Sequence, residues 1–434
     1  MHLLWLIVMI VAGCLAGAQA CATDTVDAGI WAEIQRIRVI DDHTHDDPVS
    51  AERGQSWRAD LPLGRSTYPD VVPLRHDNPE WIRAWRALYG YRYSDMDARH
   101  LAGLLQSKRS TMKSHGNDWP VVVLDSAGVD IAFVNVAHLG PGQSGPRFRW
   151  VPFADPLLSP FSGSNSVLAY PGGPSSIEQL LGEGGFEGVP PTLREYVSRV
   201  IEVTLSRWAA AGAPAIKILA AYRRALDFES VAEAAAAPLY ARGVAHGVLS
   251  AAEQKALEDY LFTEVSARAG AHGLVVQIHT GNGNGPYFDN SGSNPCLLEG
   301  AINSERLQKT KFVLLHGGWP YPLIAQAMTD KPNTYVEFSA ETFYLTTHAL
   351  AEVLRSWLGW HPEKVLFGTD AYSDENSPLS DYEEKQWLLT DKSRRALAIA
   401  LTAMMKDGEI SRARAVEIAR GVLRENAAEL YRIK

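Results

Sequence analysis

Six side chains in this sequence have the types and settings that could hold a divalent metal ion: His43, His45, Lys217, His279, His316 and Asp370. Each stands at or near the end of a short apolar run of the kind that forms a strand. Ile37-Arg38-Val39-Ile40-Asp41-Asp42 leads into His43-Thr44-His45. Strand side chains alternate between faces, so the two imidazoles point the same way and can grip one cation. Val275-Val276-Gln277-Ile278 ends in His279, Phe312-Val313-Leu314-Leu315 in His316, and Val365-Leu366-Phe367-Gly368-Thr369 in Asp370. Imidazole and carboxylate are ligands that borderline first-row cations accept. Taken singly, a strand-end histidine is more often a hydrogen-bonded core residue, and an aspartate after Gly-Thr a turn or helix cap. The ordered set is what describes a metal site.

Lys217 lies between Ile216 and Ile218, so alternation turns it away from both and into the interior. An unpaired buried ammonium is costly. Either Asp41 or Glu337 neutralises it as a structural ion pair, or its pKa falls far enough for CO₂ to add as a carbamate that bridges two metal ions.

The elements that must position these groups alternate between strand-like runs and helical stretches, the pattern of a parallel sheet with crossover helices. Further strand candidates cover 131–136, 148–153, 215–220 and 334–339, which makes eight in all. Eight parallel strands with intervening helices close as a (β/α)8 TIM barrel whose active site lies at the C-terminal mouth of the strands. The metal-site residues would converge there, with Lys217 somewhat deeper. Segment 192–211 suits an amphipathic crossover helix, stopped by Gly212 and Pro214. A barrel needs about 250 residues, so the surplus belongs in long loops at the mouth. Residues 46–120 follow the first strand and include the aromatic stretch Trp81-Ile82-Arg83-Ala84-Trp85, read as a helical cap. Residues 155–191, rich in Gly, Ser and Pro, read as a long loop.

A net charge of −9, with 41 basic and 50 acidic residues, gives no basic excess to favour nucleic acid. The expected partner is a small-molecule substrate, with no stable protein partner. The apolar stretch 3–11 is short for a membrane span, and Ala18-Gln19-Ala20 offers a signal-peptidase site, so residues 1–20 read as a signal peptide and 21–434 as a single barrel domain. Val11-Ala12-Gly13-Cys14 also fits a bacterial lipobox, which in that alternative makes Cys14 a lipid-anchored residue. Either way the expected location is secreted or periplasmic. Cys21 and Cys296 lack CxxC partners and are read as structural or inert.

The combined motifs resemble the amidohydrolase superfamily, in its amidohydrolase-related branch. The resemblance is carried by Asp41-Asp42-His43-Thr44-His45, Ala215-Ile216-Lys217-Ile218, Val276-Gln277-Ile278-His279-Thr280-Gly281, Leu315-His316-Gly317-Gly318-Trp319-Pro320 and Phe367-Gly368-Thr369-Asp370-Ala371. It implies His43 and His45 on a first metal, His279 and His316 around it or on a second, and Asp370 as ligand and proton shuttle, with His316 catalytic in a one-metal site. The expected ion is divalent, zinc first, although such a His/Asp site also accepts Mn, Fe or Ni; one or two are expected per chain, with a carboxylated Lys217 in the two-metal case. One departure is the acidic Asp46-Asp47 that follows His45. Tyr222 and Arg223 after the fourth strand, Gln277 on the face of His279, and Trp319 after the sixth are the candidate substrate contacts. The reaction this implies is cleavage of an amide or a related C–N or ester bond by metal-activated water. A decarboxylase or isomerase of the same superfamily is the alternative enzyme. A secreted metal- or solute-binding protein is the non-enzymatic alternative, against which stands the retained carboxylate Asp370, since a binder needs ligands but no proton shuttle.

Overall fold

Runs dense in β-branched and aromatic residues favour extended backbone because their side chains pack well on a pleated surface. In the computed structural model, which describes residues 26–45, 71–139, 143, 145–161, 176–283, 285, 287–373 and 378–433, eight such runs are strands. They are β1 (Val39–Thr44), β2 (Val129–Asn135), β3 (Phe148–Val151), β4 (Ala215–Ile218), β5 (Val275–His279), β6 (Phe312–Leu315), β7 (Thr334–Glu337) and β8 (Val365–Leu366). They pair in parallel as two ladders, β1-β2-β3 and β4-β5-β6-β7-β8. Backbone hydrogen bonds join the ladders at both seams. Lys217 N donates to Pro152 O at 2.8 Å and Ala154 N to Lys217 O at 2.8 Å between β3 and β4, and Asp42 N donates to Phe367 O at 3.1 Å between β8 and β1. The strands therefore run round the (β/α)8 barrel that their alternation with helices predicts.

Both faces of every strand are covered, which is why the strands read as near-continuous apolar runs. Outward residues Ile216, Ile218, Val276, Ile278, Phe312 and Leu314 share one core with Leu257, Leu261 and Val265 of helix Ala251–Ala271. Val39, Val129, Val134, Val336 and Val365 share another with Ala396, Leu397 and Leu401 of helix Tyr382–Lys406. Inward residues Ile40, Ile131, Phe133, Val151, Ala215, Val275, Val313 and Leu366 form a third, closed from below by Ala427 and Tyr431. Full burial of one such aliphatic side chain contributes about 1.5–3 kcal/mol.

Strict alternation fails at one place that matters. On β1 the register passes from Asp41 opposite Ala132 to Thr44 opposite Val134, so Asp42 and His43 together face the single residue Phe133. This is a β-bulge. It lets Asp42 and His43 both reach the interior, whereas Asp41 turns outward to accept from Thr369 N (2.9 Å), Thr369 Oγ1 (2.7 Å) and Gln386 Nε2 (2.7 Å).

Two sequence expectations need correction. Segment 192–211 is helical but not uniformly α: Leu193–Glu195 and Glu202–Ala210 flank a wider π turn over Tyr196–Ile201. Within 155–191 lies a helix, Ile177–Glu183, started by a capping box in which Gln179 N donates to Ser176 Oγ and Ser176 N to Gln179 Oε1. Ser-x-x-Gln ahead of Leu-Leu was the available signal.

After β1, helices Trp81–Tyr89, Ala98–His115 and Trp119–Ala127 gather Trp81, Trp85, Tyr89 and Trp119 into a separate apolar cluster with Tyr382, Leu388 and Ala371, the residue after Asp370. Lys108 ties this layer to the helix after β8, donating to both oxygens of Glu384 at 2.9 Å and to Pro378 O at 3.1 Å. The signal-peptide and lipobox readings over 1–20, with Cys14, and also Cys21, Asp46 and Asp47, lie outside the described residues. Cys296 is exposed and free. Among the described residues no helix is long and apolar enough to cross a membrane.

Candidate metal centre

β1 delivers His43 and His45 to the mouth of the barrel, and the turn after β8 delivers Asp370. The Nε2 atoms of both imidazoles lie 3.1 Å from Asp370 Oδ1, and the three groups offer ligand atoms all within 4.8 Å of one another. His316 begins the turn after β6, with Nδ1 2.8 Å from Ser339 Oγ and 3.9 Å from Asp370 Oδ2. Its ring centroid is 4.5 Å from that of His279 at the end of β5 and 5.1 Å from that of His43. Lys217 is fully buried, with Nζ 3.2 Å from His43 Nε2. All six residues singled out by the sequence are thus brought into one cluster.

Two of them hold backbone conformations that L-residues rarely adopt: φ is 66° at His316 and 53° at Asp370. His and Asp tolerate the left-handed region better than most side chains. At both positions it folds the residue back over the mouth instead of letting the chain run on. The neighbouring glycines are required by crowding. A Cβ on Gly281, where φ is +72°, would strike the Gly318–Trp319 backbone, and this contact keeps the β5 and β6 loops together.

The electrostatics favour ligands over charges. Burial, helped by the nearby Lys217 ammonium, lowers the His43 pKa to about 3, and burial holds His279 and His316 well below the ordinary imidazole range. All three are neutral at pH 7 and carry a free lone pair. Burial by itself would raise Asp370, but the imidazoles of His316, His43 and His45 outweigh it and keep the carboxylate ionised. Burial also lowers Lys217 to about 8, opposed by Asp370, Glu337, Asp155 and Asp42. Asp41 is not among these; it lies on the outer face with Val39, ahead of the bulge, so of the two ion-pair partners expected for Lys217 only Glu337 remains.

One tautomer tests whether a cation fits. His45 Nδ1 lies 3.2 Å from the carbonyl of Asn135. A carbonyl only accepts, so Nδ1 carries a proton and Nε2 is the atom left to face the mouth. That Nε2 lies 3.1 Å from Asp370 Oδ1, a contact that needs a proton or a metal cation shared between the two atoms. Buried His43 Nδ1 and His279 Nε2 also have no hydrogen-bond partner. The donor set and its unsatisfied atoms therefore fit a divalent metal ion.

Of the candidate substrate contacts, Tyr222 packs its ring 4.7 Å from that of His279 and 5.1 Å from that of Phe288. Arg223 is turned to the β3 loop, donating to Ser159 Oγ at 3.0 Å with Asp155 Oδ1 at 3.7 Å. Trp319 packs against the outer core. Gln277 shares the inward face of His279 but sits deeper, where its amide donates to Asp42 O and Tyr431 Oη, each at 2.9 Å.

The sequence reading missed Asn135, buried beside His45 with neither side-chain amide atom hydrogen-bonded. Inward parity with Ile131 and Phe133 was the signal that could have found it. It also missed Ser339, which bridges His316 Nδ1 and Glu337 Oε2 (2.7 Å) and fixes the ring.

Behind the His316 turn, Glu341 is buried with neither carboxylate oxygen hydrogen-bonded, and burial pushes its pKa well above 4.5. A carboxyl raised on folding is held as the neutral acid. Its stability contribution is full below the unfolded value and is lost as pH rises toward the folded one. Glu341→Gln should therefore gain on the wild type by about 1.4 kcal/mol per pH unit above that onset, until the folded pKa is passed. Urea midpoints of both proteins at about pH 5 and about pH 8 measure this; a stability difference that does not grow with pH means that Glu341 ionises freely in the folded state.

Residues 176–433 match the family described as Amidohydrolase. Among curated proteins, the chain is 26% identical over 229 residues to Protein fluG of Emericella nidulans; the match covers 50% of this chain and 25% of that protein. The chain thus spans about a quarter of the length of that relative. Among solved structures it is similar to a provisionally assigned metal-dependent hydrolase from Lactobacillus casei, with TM-score 0.64 and 16% identity, covering 91% of this chain and 96% of that one. A uronate isomerase from Thermotoga maritima gives TM-score 0.59 and 14% identity over 93% of this chain and 96% of that one. At these identities the likeness is one of fold.

Proposed function

The chain belongs to the amidohydrolase family, and from that premise we propose that it is a metal-dependent hydrolase cleaving an amide, or a related C–N or ester bond, in a small molecule. The observation that carries this reading is the approach of His43 and His45 Nε2 to one oxygen of Asp370, each at 3.1 Å. His43, His45 and Asp370 would hold the ion, zinc by preference for such a donor set, with His279 and His316 beside it. A bound divalent ion polarises a carbonyl and brings the pKa of water toward neutrality. Asp370, ionised and half-buried against the imidazoles, would take the proton of the attacking water and return it to the leaving group. His316, its ring fixed by Ser339, is left to hold the substrate carbonyl in a one-ion centre, and joins His279 on the second ion if Lys217 carries a carbamate. Tyr222, packed on His279, is the substrate contact of first choice. Residues 1–20 we read as an export signal.

Isomerisation is the second reading, favoured by the fold likeness to the uronate isomerase. Metal content per chain, by plasma mass spectrometry on protein purified without chelators or a metal-binding tag, tests both readings together with a substrate screen. About two ions, falling to one in Lys217→Ala, supports the carbamate-bridged hydrolase; about one supports the single-ion centre with His316 free. No metal after attempted reconstitution overturns the proposal. Turnover confined to uronates, with amides and esters inert, transfers it to the isomerase reading.

A further inference from the structure

The floor of the barrel is made by the last described helical turn of the chain, and a tyrosine there reaches the metal-site strand. Tyr431, just after helix Asn426–Leu430, is buried with its ring T-shaped on Phe133, centroids 4.7 Å apart. Phe133 is the residue opposite the β1 bulge. The Tyr431 hydroxyl donates to Asp42 Oδ2 at 3.0 Å and accepts from Gln277 Nε2 at 2.9 Å. The same Gln277 amide donates to the carbonyl of Asp42 at 2.9 Å. Tyr431 and Gln277 thus grip the bulged residue by side chain and main chain at once.

On its other side Asp42 has no slack. A Cβ on Gly368 would lie 2.6 Å from Glu337 Oε1 and 3.1 Å from Asp42 Oδ1, so the carboxyls of β1 and β7 close on the backbone just before Asp370. Asp42 is directly bonded to His43, and the bulge lets His43 face inward beside it. A bulge leaves its extra residue outside the ladder, so its buried polar groups need partners from elsewhere. Here the satisfying hydroxyl comes from a residue 389 positions away.

We infer that Tyr431 is a positioning residue for the metal centre: its hydroxyl fixes Asp42 in the bulge and through it the imidazole of His43. The inference rests on the metal-site reading above but not on the reaction assigned to it. Supporting groups of this kind typically change metal affinity about 10–100-fold when removed. Tyr431→Phe keeps the ring on Phe133 and deletes only the hydroxyl.

The test is chelator competition for Co(II) on the full chain, with the visible absorption of the bound ion recorded and folding checked by far-ultraviolet circular dichroism. Tyr431→Phe should weaken Co(II) binding by about 10–100-fold and alter the ligand-field bands, which loss of packing alone would not alter. Asp42→Asn, examined alone and in the double variant, supplies the second line. If Tyr431 acts through Asp42, the double variant binds no more weakly than Asp42→Asn alone. Wild-type affinity and spectrum in Tyr431→Phe, or effects that add in the double variant, overturn the inference while leaving the metal site standing. Failure of the wild-type chain to take up Co(II) overturns both, and a misfolded Tyr431→Phe leaves the decision to the Asp42→Asn spectrum, which must differ from wild type.

Discussion

Asp370→Asn should reduce turnover by about 10²–10⁴-fold, the contribution typical of a positioned general base, with the fold and the metal content retained within a few-fold. The substitution is nearly isosteric. It keeps an oxygen that can ligate, and Asn accepts the left-handed backbone at φ 53° that the position demands. What it removes is the anion that the surrounding imidazoles hold ionised, and with it the acceptor for the proton of water. Steady-state kcat and metal stoichiometry must be measured on the same preparation, so that loss of the base is not confused with loss of the ion. Turnover within about threefold of wild type, with metal retained, would sink the role given to Asp370. It would return weight to a binding protein that uses the carboxylate only as a ligand.

His43→Ala should lower metal content after equilibrium dialysis to below about a tenth of wild type, more than His45→Ala does. His43 is fully buried, whereas the His45 side chain is 20% exposed and reaches the mouth. Removing the His43 imidazole also frees Lys217, whose Nζ is 3.2 Å from His43 Nε2, to approach the Asp370 carboxylate and compete with any cation there. Metal retained at wild-type stoichiometry in His43→Ala would mean that the ion is held elsewhere, by His279 and His316 without β1.

Local chemistry and the two-residue period of strands carried much of this protein in its sequence. They gave the ends of the strands as the place of the ligands, His43 and His45 on one face, Lys217 turned inward between Ile216 and Ile218, and the repeated strand–helix alternation of the barrel. Those properties depend on residues within a few positions of one another. Gln277 marks the limit of that reasoning. Parity correctly gives it the face of His279, but depth along the barrel decides whether that face meets a ligand or the floor. Two residues below His279, Gln277 meets Asp42 and Tyr431. The same limit applies to Asp42 and His43, which both face inward: alternation cannot foresee a bulge, because an extra residue is accommodated only when the partner strand and the residues behind it are in place.

Tertiary structure alone decided the rest. The bulge let His43 face inward beside Asp42 while Asp41 stayed on the outer face, the carbonyl of Asn135 oriented the ring of His45, Ser339 fixed His316, and Tyr431 closed the floor beneath them. Each of these is a contact between groups distant in sequence. A strand's own residues can specify which side chains face inward, but hydrogen-bond partners across a closed barrel exist only once all eight strands are in register.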